Sequence, residues 1–95
     1  MTYTVKSGES LFLAIGFPPH EAEVLQFRAD LFGHLYLWLK GSGLSRLQAA
    51  EKLGVTETKI IDLEKRRWKK FNLDTLVSMA GRAGIKVRLT LDKAA

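Results

Sequence analysis

Apolar residues recur at alternating intervals of three and four along residues 20–41, the spacing that aligns side chains on one face of an α-helix. The members of this stripe are Val24, Phe27, Leu31, Leu35 and Trp38. Neighbouring apolar residues widen the face to roughly half of the helix circumference, which is more than a one-sided surface helix needs. The pattern predicts one long helix over residues 20–41, or two helices with a bend near Gly33. Part of the wide face should be covered by another subunit or by the N-terminal arm, residues 1–19.

Arg28 falls inside this apolar stripe by its helical position. A long cationic side chain in such a place most simply lays its methylene groups on the apolar surface and carries its charge to water. The alternatives are a structural ion pair and a contact with a phosphate group.

A second pattern, over residues 44–65, predicts two short helices joined by a tight turn. Ser45 is a good N-cap for the first helix, Gly54 can end it in the left-handed conformation, and Thr56 can cap the second helix. The spacing of the small and apolar positions is that of a helix-turn-helix unit, whose second helix reads DNA. These positions are Ala50, Gly54, Ile60 and Leu63. An ordinary helical hairpin with a glycine turn is the alternative.

Two more elements are predicted towards the C-terminus. Asn72 can cap a helix over residues 72–83, and residues 85–91 alternate apolar and polar side chains, as a half-buried strand does. Because an unpaired strand edge is costly, this strand must pair with residues 2–5, with its copy in a second molecule, or with a partner's sheet. We favour pairing between molecules. The apolar residues that would make the dimer or partner contact are Ile85, Val87, Leu89 and Leu91.

The positive charge of the chain begins with the helix-turn-helix unit. The formal net charge of +5 divides into −1 for residues 1–43, +4 for residues 44–70 and +2 for residues 71–95. The densest run of cations is Lys-Arg-Arg-Trp-Lys-Lys at residues 65–70. Such a run is often only a solvated loop, but directly after a recognition helix it stands where a protein grips phosphates.

Composition narrows the classes of function. The chain contains no cysteine, which excludes disulfides, thiolate metal sites and cysteine nucleophiles. His20 and His34 are isolated, no serine has a base at motif spacing, and no glycine-rich phosphate loop is present. We therefore expect neither an enzyme nor a cofactor or metal site. The 95 residues suit one domain, and the lack of a membrane-length apolar run or signal-peptide pattern predicts a cytoplasmic protein.

Taken together, these elements resemble the Cro/repressor-like (XRE) helix-turn-helix proteins and, more narrowly, the small antitoxins of the HigA type. The narrower likeness includes a Ser7-Gly8 element, the segment EAEVLQFRADL at residues 21–31, the phrase RWKKFNLDTL at residues 67–76, and the strand after Gly84. The resemblance implies a mainly α, lambda-repressor-like helix-turn-helix bundle with a long N-terminal helix and a C-terminal β-strand. It also implies a homodimer that represses its own operon and, in many relatives, neutralises a co-encoded RelE-like toxin that cleaves mRNA.

The same resemblance assigns DNA contacts to the second helix of the unit and to the basic run. Carried over by position, the residues that would face base edges are Glu57, Thr58, Ile61 and Asp62. Those that would bind phosphates are Arg46, Thr56, Lys59, Lys65, Arg66, Arg67, Lys69 and Lys70. Glu57 and Asp62 are acidic where relatives carry Gln, Ser or Arg. A carboxylate can accept a hydrogen bond from the cytosine amino group but repels the DNA backbone, so the surrounding cations must supply the grip.

Two functions are compatible with these observations. The preferred one is a dimeric, sequence-specific repressor of antitoxin type that binds a double-stranded operator palindrome. Its half-sites would lie about one helical turn, roughly 34 Å, apart. The alternative is a protein-interaction module that docks or neutralises a toxin or other enzyme through the terminal strand and the wide helix face, and binds DNA only weakly.

Overall fold

Four α-helices, one 3-10 helix and two short strands succeed one another in the residues that the computed structural model describes, 2–6 and 19–90. Their order is β1 (Thr2–Lys6), α1 (Pro19–Ser42), α2 (Arg46–Leu53), α3 (Glu57–Glu64), the 3-10 helix (Trp68–Lys70), α4 (Leu73–Arg82) and β2 (Lys86–Thr90). The described chain is thus mainly helical and has the predicted helix-turn-helix class of fold. The Ser7-Gly8 element and Leu91 lie outside the described residues. No helix in the described ranges is long and apolar enough to cross a membrane.

The long helix α1 runs without interruption, so the alternative of two helices meeting near Gly33 is wrong. Leu31 and Leu35, in the middle of the apolar stripe, have no exposed surface. Tyr36 and Trp38 are half-buried and pack against the same core, so much of the wide apolar face is covered from within the chain.

Local capping defines both helices of the helix-turn-helix unit, and the three predicted caps are confirmed. The Ser45 hydroxyl accepts a hydrogen bond from the backbone N–H of Gln48, whose side chain accepts one from the Ser45 N–H, forming a capping box. Gly54 ends α2 at φ +68°. The Thr56 hydroxyl accepts a hydrogen bond from the Lys59 N–H at 3.3 Å and so starts α3. Satisfying these terminal groups locally lets two eight-residue helices form a sharp corner.

One apolar core holds α1, α2, α3 and α4 together. Ile60 and Leu63 point from α3 into this core and have no exposed surface. Phe71 is equally buried and meets Phe32 of α1 edge to face, with ring centroids 5.4 Å apart. Asn72 directly after it caps α4 by accepting a hydrogen bond from the Thr75 N–H at 2.8 Å, as predicted.

The favoured pairing of the C-terminal strand between molecules is corrected by the structure, since β2 pairs with β1 of the same chain. The two strands are parallel, with Thr2 opposite Lys86 and Lys6 opposite Thr90. Residues near the N-terminus were one of the three mates considered, and they satisfy one edge of β2. The other edge of β2 carries no strand in the part of the chain that is described.

Ile85 was expected at a dimer or partner contact, but it belongs to the core of its own chain. It is almost fully buried, and its N–H donates a hydrogen bond to the Ala80 carbonyl at 2.8 Å. Val87 also packs against that core. Leu89 lies within β2. The apolar alternation of this strand therefore reflects packing within the chain, at least for its first two apolar positions.

Replacing Gly54 by Ala should lower the free energy of unfolding by about 1–2 kcal/mol, because a Cβ makes the left-handed conformation costly. The added Cβ would also stand 2.8 Å from Cζ of Arg82, which must move aside. Gly81→Ala in α4 is the matched control. A Cβ at Gly81 meets nothing within 4 Å, and a helical Ala should stabilise by roughly 0.5–1 kcal/mol. Urea unfolding of both variants tests this, and equal effects would contradict it.

Candidate nucleic-acid interface

The first turn of α3 is presented to solvent while its opposite face is anchored in the core. Glu57 and Thr58 are exposed, and Ile61 is half-buried. The Thr56 hydroxyl that caps the helix can still donate its own proton to an anion. Three of the four predicted base-reading residues thus lie where a ligand could reach them. Glu57 and Thr58 stand at the end of the helix that favours negative charge, and Ile61 follows in the next turn.

The fourth, Asp62, is placed differently from what the base-reading assignment requires. The residue is only 5% exposed, and its carboxylate accepts a hydrogen bond from Nη1 of Arg67 at 3.2 Å. The backbone joins the same two residues, because the Arg67 N–H donates to the Asp62 carbonyl at 2.9 Å. A buried carboxylate that lost this partner would be strongly destabilising. We therefore correct the assignment: Asp62 holds Arg67 in place, and the Arg67 side chain remains about half exposed.

Arg46, predicted to bind phosphate, forms a forked ion pair with Glu64. Its Nε and Nη2 donate to Oε2 of Glu64 at 3.1 and 2.9 Å, tying the first residue of α2 to the last residue of α3. The hydrogen bond from Arg46 lowers the pKa of Glu64, and the same bond raises the pKa of Arg46. A phosphate at Arg46 would have to compete with this carboxylate.

The 3-10 helix Trp68–Lys70, which we call the basic turn, is held by cations from two other helices. Arg28 of α1 donates to the Phe71 carbonyl from Nη2 at 2.8 Å and from Nε at 3.1 Å. Lys59 of α3 donates from Nζ to the Lys70 carbonyl at 2.6 Å. Lys59 was predicted on a phosphate, and in the structure its ammonium group instead donates to a backbone carbonyl in an exposed contact. The hydrogen bonds of Arg28 go to backbone carbonyls, which none of the three interpretations of this residue foresaw.

Arg66 links the end of α3 to the long helix. Its φ of 59° is left-handed, the one such value for a non-glycine residue in the described ranges. Its Nη2 donates to the Tyr36 hydroxyl at 3.1 Å, and its guanidinium carbon stands 4.9 Å from the centroid of that ring. This hydrogen bond lowers the pKa of Tyr36. Neither the left-handed backbone nor the Tyr36 contact was anticipated from the sequence.

The predicted phosphate-binding residues therefore fall into two groups. Arg46, Arg67 and Lys59 have partners within the protein, and Arg66 stacks on Tyr36. The remaining cations, Lys65, Lys69 and Lys70, are exposed, and Lys69 lies 5.9 Å above the Trp68 ring. An exposed helix start beside a cationic turn suits a ligand with a polyanionic backbone and readable edges. No group of three or more acidic or histidine side chains within the described residues could hold a metal ion.

Comparison with known protein families gives a match. The family model described as helix-turn-helix domain matches residues 16–92, which is most of the chain. No curated protein is similar enough to the chain to count as a match.

Glu64→Gln should lower stability at neutral pH, because it removes the carboxylate that pairs with Arg46. Since the pKa of Glu64 lies below its ordinary value of 4.5 in the folded protein, the pair stabilises fully above that value. The contribution is lost as pH falls through the lowered pKa. Urea unfolding from pH 7 to pH 3 should show the difference between variant and parent shrinking. Glu51→Gln, at an exposed position of α2, is the control. The same pH profile for both variants would contradict the role of the pair.

Proposed function

The chain belongs to the family of helix-turn-helix domains, and from this premise we propose that it is a sequence-specific DNA-binding regulator that represses its own operon as a homodimer. Membership of this family supports DNA binding and regulation in general. Sequence specificity, autorepression and the dimer are the proposal.

The observation that carries the proposal is the position of the basic turn beside the exposed start of α3. A hydrogen bond of 2.6 Å from Lys59 to the Lys70 carbonyl joins the two directly. Phosphate contacts fix the register of a protein on the duplex, and contacts to base edges specify the sequence. Because α3 and the basic turn are joined in this way, base contacts from α3 and phosphate contacts from the turn would be held in one fixed arrangement.

In the complex that we propose, the N-terminal half of α3 lies in the major groove. Thr58 and Ile61 contact base edges or the thymine methyl group, and Glu57 accepts from a cytosine amino group. Thr56 donates to a phosphate at the start of the helix. The exposed cations Lys65, Lys69 and Lys70 contact the flanking backbone. Arg46 contributes less than these, because Glu64 already neutralises it.

We further propose that the regulator is an antitoxin partnered by a RelE-like toxin, as the resemblance to HigA-type proteins implies. Two exposed leucines give such a partner or a second subunit apolar surface to cover, since Leu37 is 67% and Leu47 is 55% exposed.

The second candidate function is a protein-interaction module that binds DNA only weakly. The specific observation that favours it is the acidic character of α3. Glu57 begins the helix at an exposed position, and Glu64 at its end occupies Arg46. The charge of Glu57 opposes the approach of a phosphate backbone, and Glu64 neutralises a cation that would otherwise attract one. The DNA-binding measurement that follows separates the two candidates.

Thr58→Ala should relax specificity, and Lys69→Ala should weaken binding to all DNA alike. We would titrate both variants by fluorescence anisotropy against the duplex upstream of the protein's own gene and a scrambled duplex, at two salt concentrations. The unmodified protein should prefer its own DNA by about a thousandfold. Lys69→Ala should reduce the salt slope by about 1, whereas Thr58→Ala leaves the slope unchanged.

Two outcomes would contradict these roles. An equal loss of affinity for both duplexes in Thr58→Ala would contradict the role of Thr58 in reading bases. Equal and weak binding of both duplexes by the unmodified protein would favour the interaction module.

The homodimer and the toxin partner make a separate prediction. Light scattering after gel filtration should give twice the mass of the chain, and one dimer should bind a palindrome whose half-sites are about 34 Å apart. Co-expression with the product of the neighbouring gene should yield a complex that survives gel filtration. A monomer at every concentration would contradict the dimer, and separate elution of the two proteins would contradict the partnership.

A further inference from the structure

We propose that Arg28, on the long helix, is a positioning residue for DNA recognition: together with Lys59 it clamps the carbonyls of the basic turn and thereby sets where Lys69 and Lys70 stand relative to α3. This role rests on the proposed DNA-binding function and names a determinant of it that lies outside the helix-turn-helix unit.

Arg28 contacts the basic turn and the residue that follows it, through two carbonyls and one ring. Besides its two hydrogen bonds to the Phe71 carbonyl, Nη2 donates to the Lys69 carbonyl at 3.3 Å. Its guanidinium carbon lies 5.4 Å from the centroid of the Trp68 ring. A planar guanidinium holds its donors in a fixed fork, so one side chain determines the orientation of several groups at once. An ammonium group cannot reproduce that geometry.

Lys59 completes the clamp from α3. Its Nζ binds the Lys70 carbonyl and lies 4.8 Å from the centroid of the Phe71 ring. Three successive carbonyls, those of Lys69, Lys70 and Phe71, thus accept hydrogen bonds from two cations that belong to α1 and α3. Lys59 thus fixes this segment to α3, and Arg28 fixes it to α1.

The clamp also preserves positive charge near the proposed interface. In the described residues neither Arg28 nor Lys59 forms an ion pair, whereas Arg46 and Arg67 each face a carboxylate. Carbonyl oxygens orient the clamp cations without cancelling their charge. Both cations therefore add to the field that attracts phosphates while holding the side chains that contact them.

The charge-conserving variant Arg28→Lys separates positioning from charge and from stability. Binding to the scrambled duplex needs charge but no fixed register, so its affinity should change by less than about twofold. Binding to the protein's own upstream duplex needs register, and its affinity should fall by about tenfold. Arg88→Lys, at an exposed position of β2, is the matched control and should change neither affinity.

A double-mutant cycle tests whether Arg28 acts through the turn. Lys69→Ala should cost less affinity for the upstream duplex in the Arg28→Lys background than in the parent, because a displaced Lys69 has less to lose. The same substitution in the Arg88→Lys background should cost its full amount. Circular dichroism and urea unfolding would establish that every variant is folded at the assay temperature.

Amide hydrogen exchange tests the clamp without DNA, and it requires only the single variant Arg28→Lys. The Lys70 N–H donates to the Arg67 carbonyl at 3.0 Å and the Phe71 N–H to the Trp68 carbonyl at 3.1 Å, and both amides should exchange faster in Arg28→Lys. Amides in α2 should exchange at their parental rates.

An unchanged preference for the upstream duplex in Arg28→Lys, with additive costs in the cycle, would overturn the positioning role while leaving the DNA-binding function intact. Equal binding of the two duplexes by the unmodified protein would overturn the proposed function, and the role of the clamp in recognition with it.

Discussion

The burial of Phe71 determines where the charged part of the molecule stands. Its ring has no exposed surface and packs edge to face on Phe32, and burial of a side chain of this size stabilises by roughly 1.5–3 kcal/mol. The residue directly follows the basic turn and directly precedes the N-cap of α4. One buried ring therefore fixes two elements to the long helix. The cations that clamp the turn use the carbonyl of this residue and the face of its ring.

The basic run is less uniform than its composition indicates. Arg46 and Arg67 are paired with carboxylates: the first pair joins the start of α2 to the end of α3, and the second joins α3 to the segment that follows it. Lys59 donates to a backbone carbonyl, which is neutral and therefore does not cancel the charge of the ammonium group. The exposed lysines of the turn have the greatest freedom to meet an anion. The physical distinction is whether the partner of a cation is itself charged, and net charge alone does not reveal it.

Features fixed by neighbouring residues were predictable from the sequence, and features fixed by distant ones were not. The caps at Ser45, Gly54 and Thr56 depend on a few adjacent residues, so their side-chain chemistry is sufficient. The pairing of β2 depends on a mate at the other end of the chain, and the strand pattern left three mates open. Arg28 was missed for a further reason. Its acceptors are main-chain carbonyls, which every residue possesses and which leave no mark in a sequence.

The parallel pairing of β1 with β2 has a consequence for how the chain folds. Thr2 meets Lys86, so forming the sheet closes a loop of almost the entire described chain, whereas the capped helices and their corner form from local contacts. The chain loses the entropy of loop closure before the hydrogen bonds between the strands can stabilise it. Contacts between residues this far apart in sequence therefore form slowly. The sheet should therefore assemble last, on a helical body that already exists. It should also open first on unfolding, and separation of β1 from β2 should be reversible and should leave α3 folded.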